Sequence, residues 1–96
     1  MKRVEWEPEA HADLTKIVEY FADKDTRAAE LLLERIDNAA RGLGRFDTGR
    51  PGRMPKLREK SVPRTRYILT YRRLARRIVI LRVIHMSQHW TKKDWP

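Results

Sequence analysis

The sequence predicts an α+β domain in which two helices pack on one face of an antiparallel sheet. Three observations support this prediction: the length of 96 residues, two apolar stripes with helical spacing in the first half, and alternating apolar residues in the second half. A chain of this length forms one modest core. We therefore expect one domain over residues 1–96, ordered as an N-terminal strand, a helical hairpin and a three-stranded antiparallel meander.

The first elements are a strand and a helix. Residues 2–7 alternate in polarity, with Val4 and Trp6 on the apolar side, which is typical of a strand. Pro8 ends this strand and fits the first position of a helix, where its missing N–H would be unpaired anyway. A helix over residues 9–23 then follows, because one apolar stripe is formed by Ala10, Leu14, Ile17, Val18 and Phe21.

A second helix completes the hairpin. Asp25 or Thr26 provides its N-cap, and Gly42 and Gly44 are the predicted stop. Its apolar stripe consists of Ala29, Leu32, Leu33, Ile36, Ala40 and Leu43. The short connection between the two helices makes them antiparallel.

Three strands are predicted in the second half, after a loop over residues 45–55 that contains two glycines and two prolines. The first strand covers 57–62 and is stopped or placed at a sheet edge by Pro63. The strands over 66–73 and 76–85 form a hairpin, and the last is apolar on both faces, which is typical of an interior strand. Alternation groups Tyr67 with Leu69 and Tyr71 as core residues. In the last strand, alternation places two sets of residues on opposite faces. One set is Val79, Leu81, Val83 and His85, and the other is Ile78, Ile80, Arg82 and Ile84.

Composition excludes several classes of protein. The absence of cysteine removes disulfide scaffolds, thiolate metal sites and cysteine nucleophiles. No apolar run approaches the ~18 residues of a membrane span, and the N-terminus lacks the apolar centre of a signal peptide. His85 and His89 lack an evident third metal ligand. We expect a cytoplasmic protein without a metal, a cofactor or a membrane partner.

Charge is distributed unevenly along the chain. Residues 1–40 contain six Lys or Arg and ten Asp or Glu, a net charge of −4. Residues 41–96 contain sixteen Lys or Arg and three Asp or Glu, a net charge of +13. This asymmetry indicates a polyanionic partner for the second half, either nucleic acid or an acidic protein. A basic surface that only aids solubility is the alternative.

The chain resembles the RelE/ParE superfamily of toxins from bacterial type II toxin–antitoxin modules. The segments that carry the resemblance are VEWEPEAHADLTKIVEYF, AAELLLERIDNAARGL, GRPGR followed by LREKSV, and RYILTYRR with IVILRVIHMSQHW. The resemblance implies a two-layer RelE/ParE-like fold and a toxin that arrests growth until a cognate antitoxin neutralises it. Some members cleave mRNA on the ribosome and others poison DNA gyrase, so the fold alone does not select the target.

Two positions favour the gyrase-directed, ParE-like branch. RelE-like nucleases carry an arginine shortly before the second tyrosine of the penultimate strand and another basic residue near the C-terminus. In this chain, Ile68 and Gln88 stand near those positions. A metal-independent, ribosome-dependent endoribonuclease stays open as an alternative, and so does a noncatalytic nucleic-acid-binding module.

Candidate site residues follow from the chemistry that each activity needs. RNA cleavage requires a proton-transfer group and cations around the phosphate, for which His85 and Arg66 are the candidates. Candidates for target or nucleic-acid binding are Arg50, Arg53, Lys56, Arg58, Arg64, Arg72, Arg82, Gln88 and His89. Candidates for binding an acidic antitoxin segment are Arg58, Arg66 and Trp90. The alternatives are a hydrogen-bonded sheet residue for His85 and packing of the C-terminal tail for Trp90.

Overall fold

The computed structural model describes residues 1–87, which form two helices packed on a five-stranded mixed sheet. In chain order the elements are β1 (Arg3–Trp6), α1 (Pro8–Ala22), α2 (Thr26–Arg45), β2 (Arg50–Pro51), β3 (Arg58–Ser61), β4 (Tyr67–Arg73) and β5 (Arg77–His85). The strands are ordered β1-β5-β4-β3-β2 across the sheet. The predicted α+β class and the antiparallel meander β3-β4-β5 are confirmed.

Strand β1 lies at one edge of the sheet and runs parallel to β5. Val4 stands opposite Ile78, and the Glu7 N–H donates to the Ile80 carbonyl at 2.9 Å just after β1 ends. A parallel pair needs a long crossover connection, which the helical hairpin and the meander provide. Because β1 and β4 flank β5, the last strand is interior, as its apolar character predicted.

The second helix extends further than predicted. It begins as expected, since the Asp25 carboxylate accepts a hydrogen bond from the Ala28 N–H at 3.2 Å. It then continues through Gly42 and Gly44 to Arg45, so the prediction that these glycines end the helix is wrong. Gly44 instead permits close packing, because a Cβ there would lie 2.5 Å from the Lys2 carbonyl oxygen.

The core lies between the helices and the sheet. Both helices contribute to it, together with Val62 and residues of β4 and β5. The largest fully buried side chains of this cluster are Tyr71, Ile36, Leu43, Leu69, Ile78 and Ile80. Leu33 was predicted in the core stripe but is 40% exposed. Each residue advances by about 100° around a helix, so Leu33 turns away from the sheet when Leu32 and Ile36 face it.

A register shift between β4 and β5 changes which residues of β5 lie on each face of the sheet. The result differs from the strict alternation that the sequence predicts. Thr70 pairs with Arg82 and Tyr71 with Ile80, so Leu81 has no opposite residue. Ile78, Ile80 and Val83 therefore share the helix-side core, which corrects the predicted grouping of Val83 with Val79 and Leu81. A bulge inserts one residue and so reverses the alternation beyond it.

The sheet face turned away from the helices, here called the far face, is partly covered. Residues 45–55, predicted as a loop, include the short edge strand β2. Beyond β2, Met54 and Leu57 pack with Leu74, Val79 and Leu81 in a second apolar cluster. The far face is therefore not open along its whole length. None of the helices within residues 1–87 combines the length and apolar character that crossing a bilayer requires.

Candidate functional site

A groove runs along α2 on the helix side of the molecule, here called the α2 groove. It consists of two cavities of about 280 and 530 Å³ that share Arg35 and Arg64 as lining residues. The smaller cavity is walled by apolar side chains of both helices, including Phe21, Leu31 and Leu32. The groove therefore combines apolar walls with two cations at its centre.

The turn between β3 and β4 forms one wall of the α2 groove. Its shape is held by Thr65, whose hydroxyl donates to the Val62 carbonyl at 2.9 Å and accepts from the Tyr67 N–H at 3.1 Å. Arg64 occupies the left-handed region of backbone conformation with φ 63°. The Arg35 side chain donates to the Arg64 carbonyl at 3.2 Å and so connects the turn to α2. Sequence patterns did not identify Arg35, because its contact is with a turn 29 residues further along the chain.

The structure brings the two candidate catalytic residues together. Arg66 and His85 both line the smaller cavity, and the Met86 N–H donates to the Arg66 carbonyl at 2.8 Å. The ring of Tyr67 meets that of His85 edge to face, with centroids 5.2 Å apart. Burial, and then the nearby Tyr20, raise the pKa of Tyr67, so its hydroxyl stays protonated at neutral pH.

Hydrogen bonding determines what His85 can do. Its Nδ1 accepts from the Ser87 N–H at 3.1 Å and lies 2.7 Å from the Ser87 hydroxyl. A ring nitrogen that accepts a hydrogen bond carries no proton, so the neutral imidazole has its proton on Nε2. In this tautomer Nε2 is a donor rather than a proton acceptor. This tautomer therefore opposes abstraction of a 2′-OH proton by Nε2.

Two of the candidate binding arginines, Arg82 and Arg58, form ion pairs with aspartates. Arg82 contacts the Asp13 carboxylate through Nε at 2.7 Å and Nη2 at 2.9 Å, and Asp13 also accepts from the Val83 N–H at 3.0 Å. The Asp13 carboxylate thus binds the Val83 N–H, which lies beyond the part of β5 that pairs with β1. Arg58 donates to the Gly49 carbonyl at 2.9 Å and pairs with Asp47 at 3.0 Å. Both arginines hold the fold together in addition to any role in binding.

Asp47 is the centre of a network that sequence reasoning missed. Its carboxylate accepts a hydrogen bond from the hydroxyl of Tyr71, which is fully buried, and pairs with Arg58 and with Arg73 at 2.7 Å. It also accepts from the Gly49 N–H at 3.3 Å. The available signal was the scarcity of acidic residues, since only Asp47 and Glu59 are acidic between residues 41 and 93. An isolated carboxylate among arginines is a candidate organiser of their positions.

The Asp47 network predicts acid sensitivity. Burial raises the pKa of Asp47, but the Tyr71 hydrogen bond, the Arg58 charge and the Gly49 N–H lower it, and the net effect is a pKa below the ordinary value of an aspartate. Since the folded-state pKa is depressed, the stabilisation is complete above the unfolded value and is lost as pH falls through the folded one. We expect the melting temperature to drop below about pH 4 and to fall less steeply there in Asp47→Asn.

Thermal melts across the acid range check this expectation, with Asp37→Asn as the matched control. The Asp37 side chain is 41% exposed and pairs with Arg41 at 2.8 Å, so its contribution is small. An acid-range slope in Asp47→Asn as steep as in the unsubstituted protein would contradict the assignment.

The remaining candidate cations lie on or beside the far face. Glu59, whose side chain is 5% exposed, pairs with Arg50 at 3.6 Å and Arg53 at 3.5 Å. Arg72 and Lys56 are exposed. The structure therefore divides the predicted binding residues between the α2 groove and the far face. The candidates Gln88, His89 and Trp90 lie outside the described residues.

Comparisons with known proteins agree with this fold. Residues 4–90 match the family described as the ParE toxin of the type II toxin–antitoxin system parDE. A Sinorhizobium fredii relative named "Putative toxin Y4kP" is 36% identical over 90 residues, which cover 93% of each chain. A solved chain from the chromosomal ParDE system of P. aeruginosa aligns with a TM-score of 0.80 at 24% identity, covering 88% of this chain and 96% of that one. The protein therefore belongs to the ParE toxin family of type II toxin–antitoxin systems.

Proposed function

We propose that this ParE-family toxin arrests growth by acting on DNA gyrase, and that an acidic antitoxin segment neutralises it by occupying the α2 groove. The observation that carries the proposal is the family match over residues 4–90. Ile68, near the position of the arginine in RelE-like nucleases, is 3% exposed on β4. A buried aliphatic side chain supplies no charge to a phosphate, which supports the gyrase-directed branch.

The chemistry of the α2 groove supports an amphipathic acidic partner. Leu31 is 39% exposed and Phe46 is 75% exposed, so the two cavities offer apolar surface to a second chain. Arg35, Arg64 and Arg66 line the same surface. A helix with apolar residues on one face and carboxylates beside them would bury the first and pair the second.

One observation favours the alternative of RNA cleavage. Arg66, Tyr67 and His85 line a single cavity, which is the combination of a cation with proton-transfer groups that a ribonuclease uses. The tautomer of His85 set by the Ser87 N–H opposes a role as general base. The presence of these residues therefore does not distinguish gyrase from RNA as the target, and an experiment is needed to do so.

Induction of the chain alone is expected to arrest growth, with DNA trapped in gyrase complexes and transcripts left intact. Co-expression with a cognate antitoxin is expected to restore growth. The double variant Arg64→Glu with Arg66→Glu places negative charge in the groove, so it should still arrest growth while the antitoxin rescues it at least about tenfold less effectively. Growth curves, primer extension and assays of trapped gyrase measure these outcomes.

Arg76→Glu is the control for charge reversal outside the groove, since it reverses one charge in the turn at the opposite end of the β4-β5 hairpin. It should remain toxic and be rescued. Codon-periodic transcript cuts that disappear in His85→Gln would contradict the gyrase target and establish the nuclease. If the antitoxin rescued growth normally in the Arg64 and Arg66 double variant, the groove would not be part of the antitoxin interface.

A further inference from the structure

We propose that the far face binds the phosphate backbone of duplex DNA through Arg50, Arg53, Lys56 and Arg72. This surface lies on the opposite side of the sheet from the helices and is separate from the proposed antitoxin groove. Its four cations face one carboxylate, Glu59, which leaves a net charge of three. The proposal concerns a contact with DNA itself and goes beyond the identity of the protein target.

Glu59 fixes the position of two of these arginines. It stands opposite Thr70 on β4, whereas its neighbour Arg58 stands opposite Tyr71 in the helix-side core. Since successive side chains of a strand point to opposite faces, Glu59 lies on the far face. Its buried carboxylate pairs with Arg50 and Arg53 and accepts a hydrogen bond from the Arg53 N–H at 3.1 Å. Two guanidinium groups are thus positioned before any ligand arrives, which lowers the entropy cost of binding.

Both arginines still reach solvent. The Arg50 side chain is 53% exposed and donates to the Ser61 hydroxyl at 3.1 Å, and the Arg53 side chain is 41% exposed. A guanidinium group has five N–H donors in a planar fork that matches phosphate oxygens. These two residues therefore present fixed and accessible charge at the β2-β3 edge.

Arg72 and Lys56 extend the cationic surface across the sheet. Arg72 stands opposite Val79, a member of the far-face apolar cluster, and its side chain is exposed. Lys56 is exposed in the turn that precedes Leu57. Within residues 1–87, neither forms an ion pair with a carboxylate. Their charge is therefore available to an outside anion.

The surroundings of these cations favour a duplex backbone over other polyanions. Leu57, Val79 and Leu81 are each 7% exposed, so they leave little apolar surface for the core of a protein interface. Proteins that bind single strands stack bases on aromatic side chains, and the described far-face clusters contain none. Duplex DNA needs only cations, because it carries one negative charge per ~1.7 Å of helix axis.

Fluorescence anisotropy with a labelled duplex of about 20 base pairs, at several salt concentrations, tests the proposal. Four phosphate contacts predict a slope of log K against log salt concentration of about −3 to −4, independent of DNA sequence. Lys56→Ala with Arg72→Ala should make the slope shallower by about two. This variant leaves the Glu59 ion pairs intact, so we expect folding to be preserved, which a far-ultraviolet spectrum checks.

Arg27→Ala with Arg41→Ala is the matched control, because it removes two highly exposed arginines of α2 and lowers the net charge equally. Its slope should equal that of the unsubstituted protein. Equal slopes in the far-face and control variants would overturn the proposal. It would also be overturned if a polyglutamate peptide bound more tightly than the duplex with the same dependence on Lys56 and Arg72, since the partner would then be an acidic protein. Antitoxin rescue of the far-face variant should remain normal, which separates this test from that of the groove.

Discussion

Asp47→Ala is expected to lower the free energy of unfolding by about 2 to 4 kcal/mol, because removing one partner of a partly buried charge network leaves the others without compensation. The Asp47 side chain is 14% exposed and that of Arg58 is 24% exposed. Substitution would also remove an acceptor from the buried Tyr71 hydroxyl. For a domain of this size, the melting temperature should fall by more than about 8 °C. Chemical denaturation and thermal melts measure the effect.

The control for this variant is Asp37→Ala, which removes another Asp–Arg pair at similar distance but at the surface. Asp37 and Arg41 lie four residues apart on α2, and exposed pairs of this kind contribute at most about 0.5 kcal/mol. A loss of stability in Asp47→Ala no larger than in Asp37→Ala would show that the network does not hold the loop to the sheet.

Gly49→Ala is expected to destabilise the protein by about 2 to 3 kcal/mol, because its new methyl group would overlap the sheet. A Cβ at this position would lie 2.7 Å from the Glu59 carbonyl oxygen and 2.8 Å from Tyr71 Cζ. Neither the strand backbone nor the fully buried tyrosine has room to move aside. The loop would have to lift, which would separate Asp47 from Tyr71. Denaturation midpoints and the near-ultraviolet signal of the tyrosines report this change.

Gly42→Ala gives the opposite expectation at another glycine. Gly42 lies within α2, and a Cβ there would meet nothing within 4 Å. Since alanine has a higher helix propensity, this variant should be more stable by up to about 1 kcal/mol. If the two glycine variants changed stability in the same direction, the steric account of Gly49 would be wrong.

The arginines of the second half have different physical roles in the fold. Arg58 is connected to Asp47 and Tyr71 within the structure, whereas Arg64 and Arg66 line a groove. We expect removal of Arg58 to reduce stability and removal of Arg64 or Arg66 to leave stability nearly unchanged. Substitution of basic residues in this protein therefore needs a stability measurement beside every activity measurement.

Local patterns predicted both helices, except for the C-terminal end of α2, and most strands. The apolar stripe predicted α1 to within one residue at each end, since α1 spans Pro8–Ala22 and the prediction was 9–23. The two long strands β4 and β5 were also predicted, because alternation over seven to nine residues is a strong local signal. Strand β2 was missed because two residues, Arg50 and Pro51, are too few to show any period.

The candidate site was predicted in part. The sequence identified Arg66 and His85 as chemically capable residues, and the fold places them in one cavity. Arg35 was missed because its contribution depends on the β3-β4 turn, 29 residues further along the chain. The bulge in β5 was missed because it depends on how Thr70 and Tyr71 pair with the neighbouring strand.

The sequence by itself determined the order of the elements, the helical hairpin, the meander and the concentration of positive charge after residue 40. These properties depend on periodicity and composition, which are local. Only the tertiary structure decided that β1 lies parallel to β5, and which cations pair with which carboxylates. Asp13 meets Arg82 across 69 residues and Asp47 meets Arg73 across 26. Ion pairs depend on distances in space, and those distances exist only once the chain has folded.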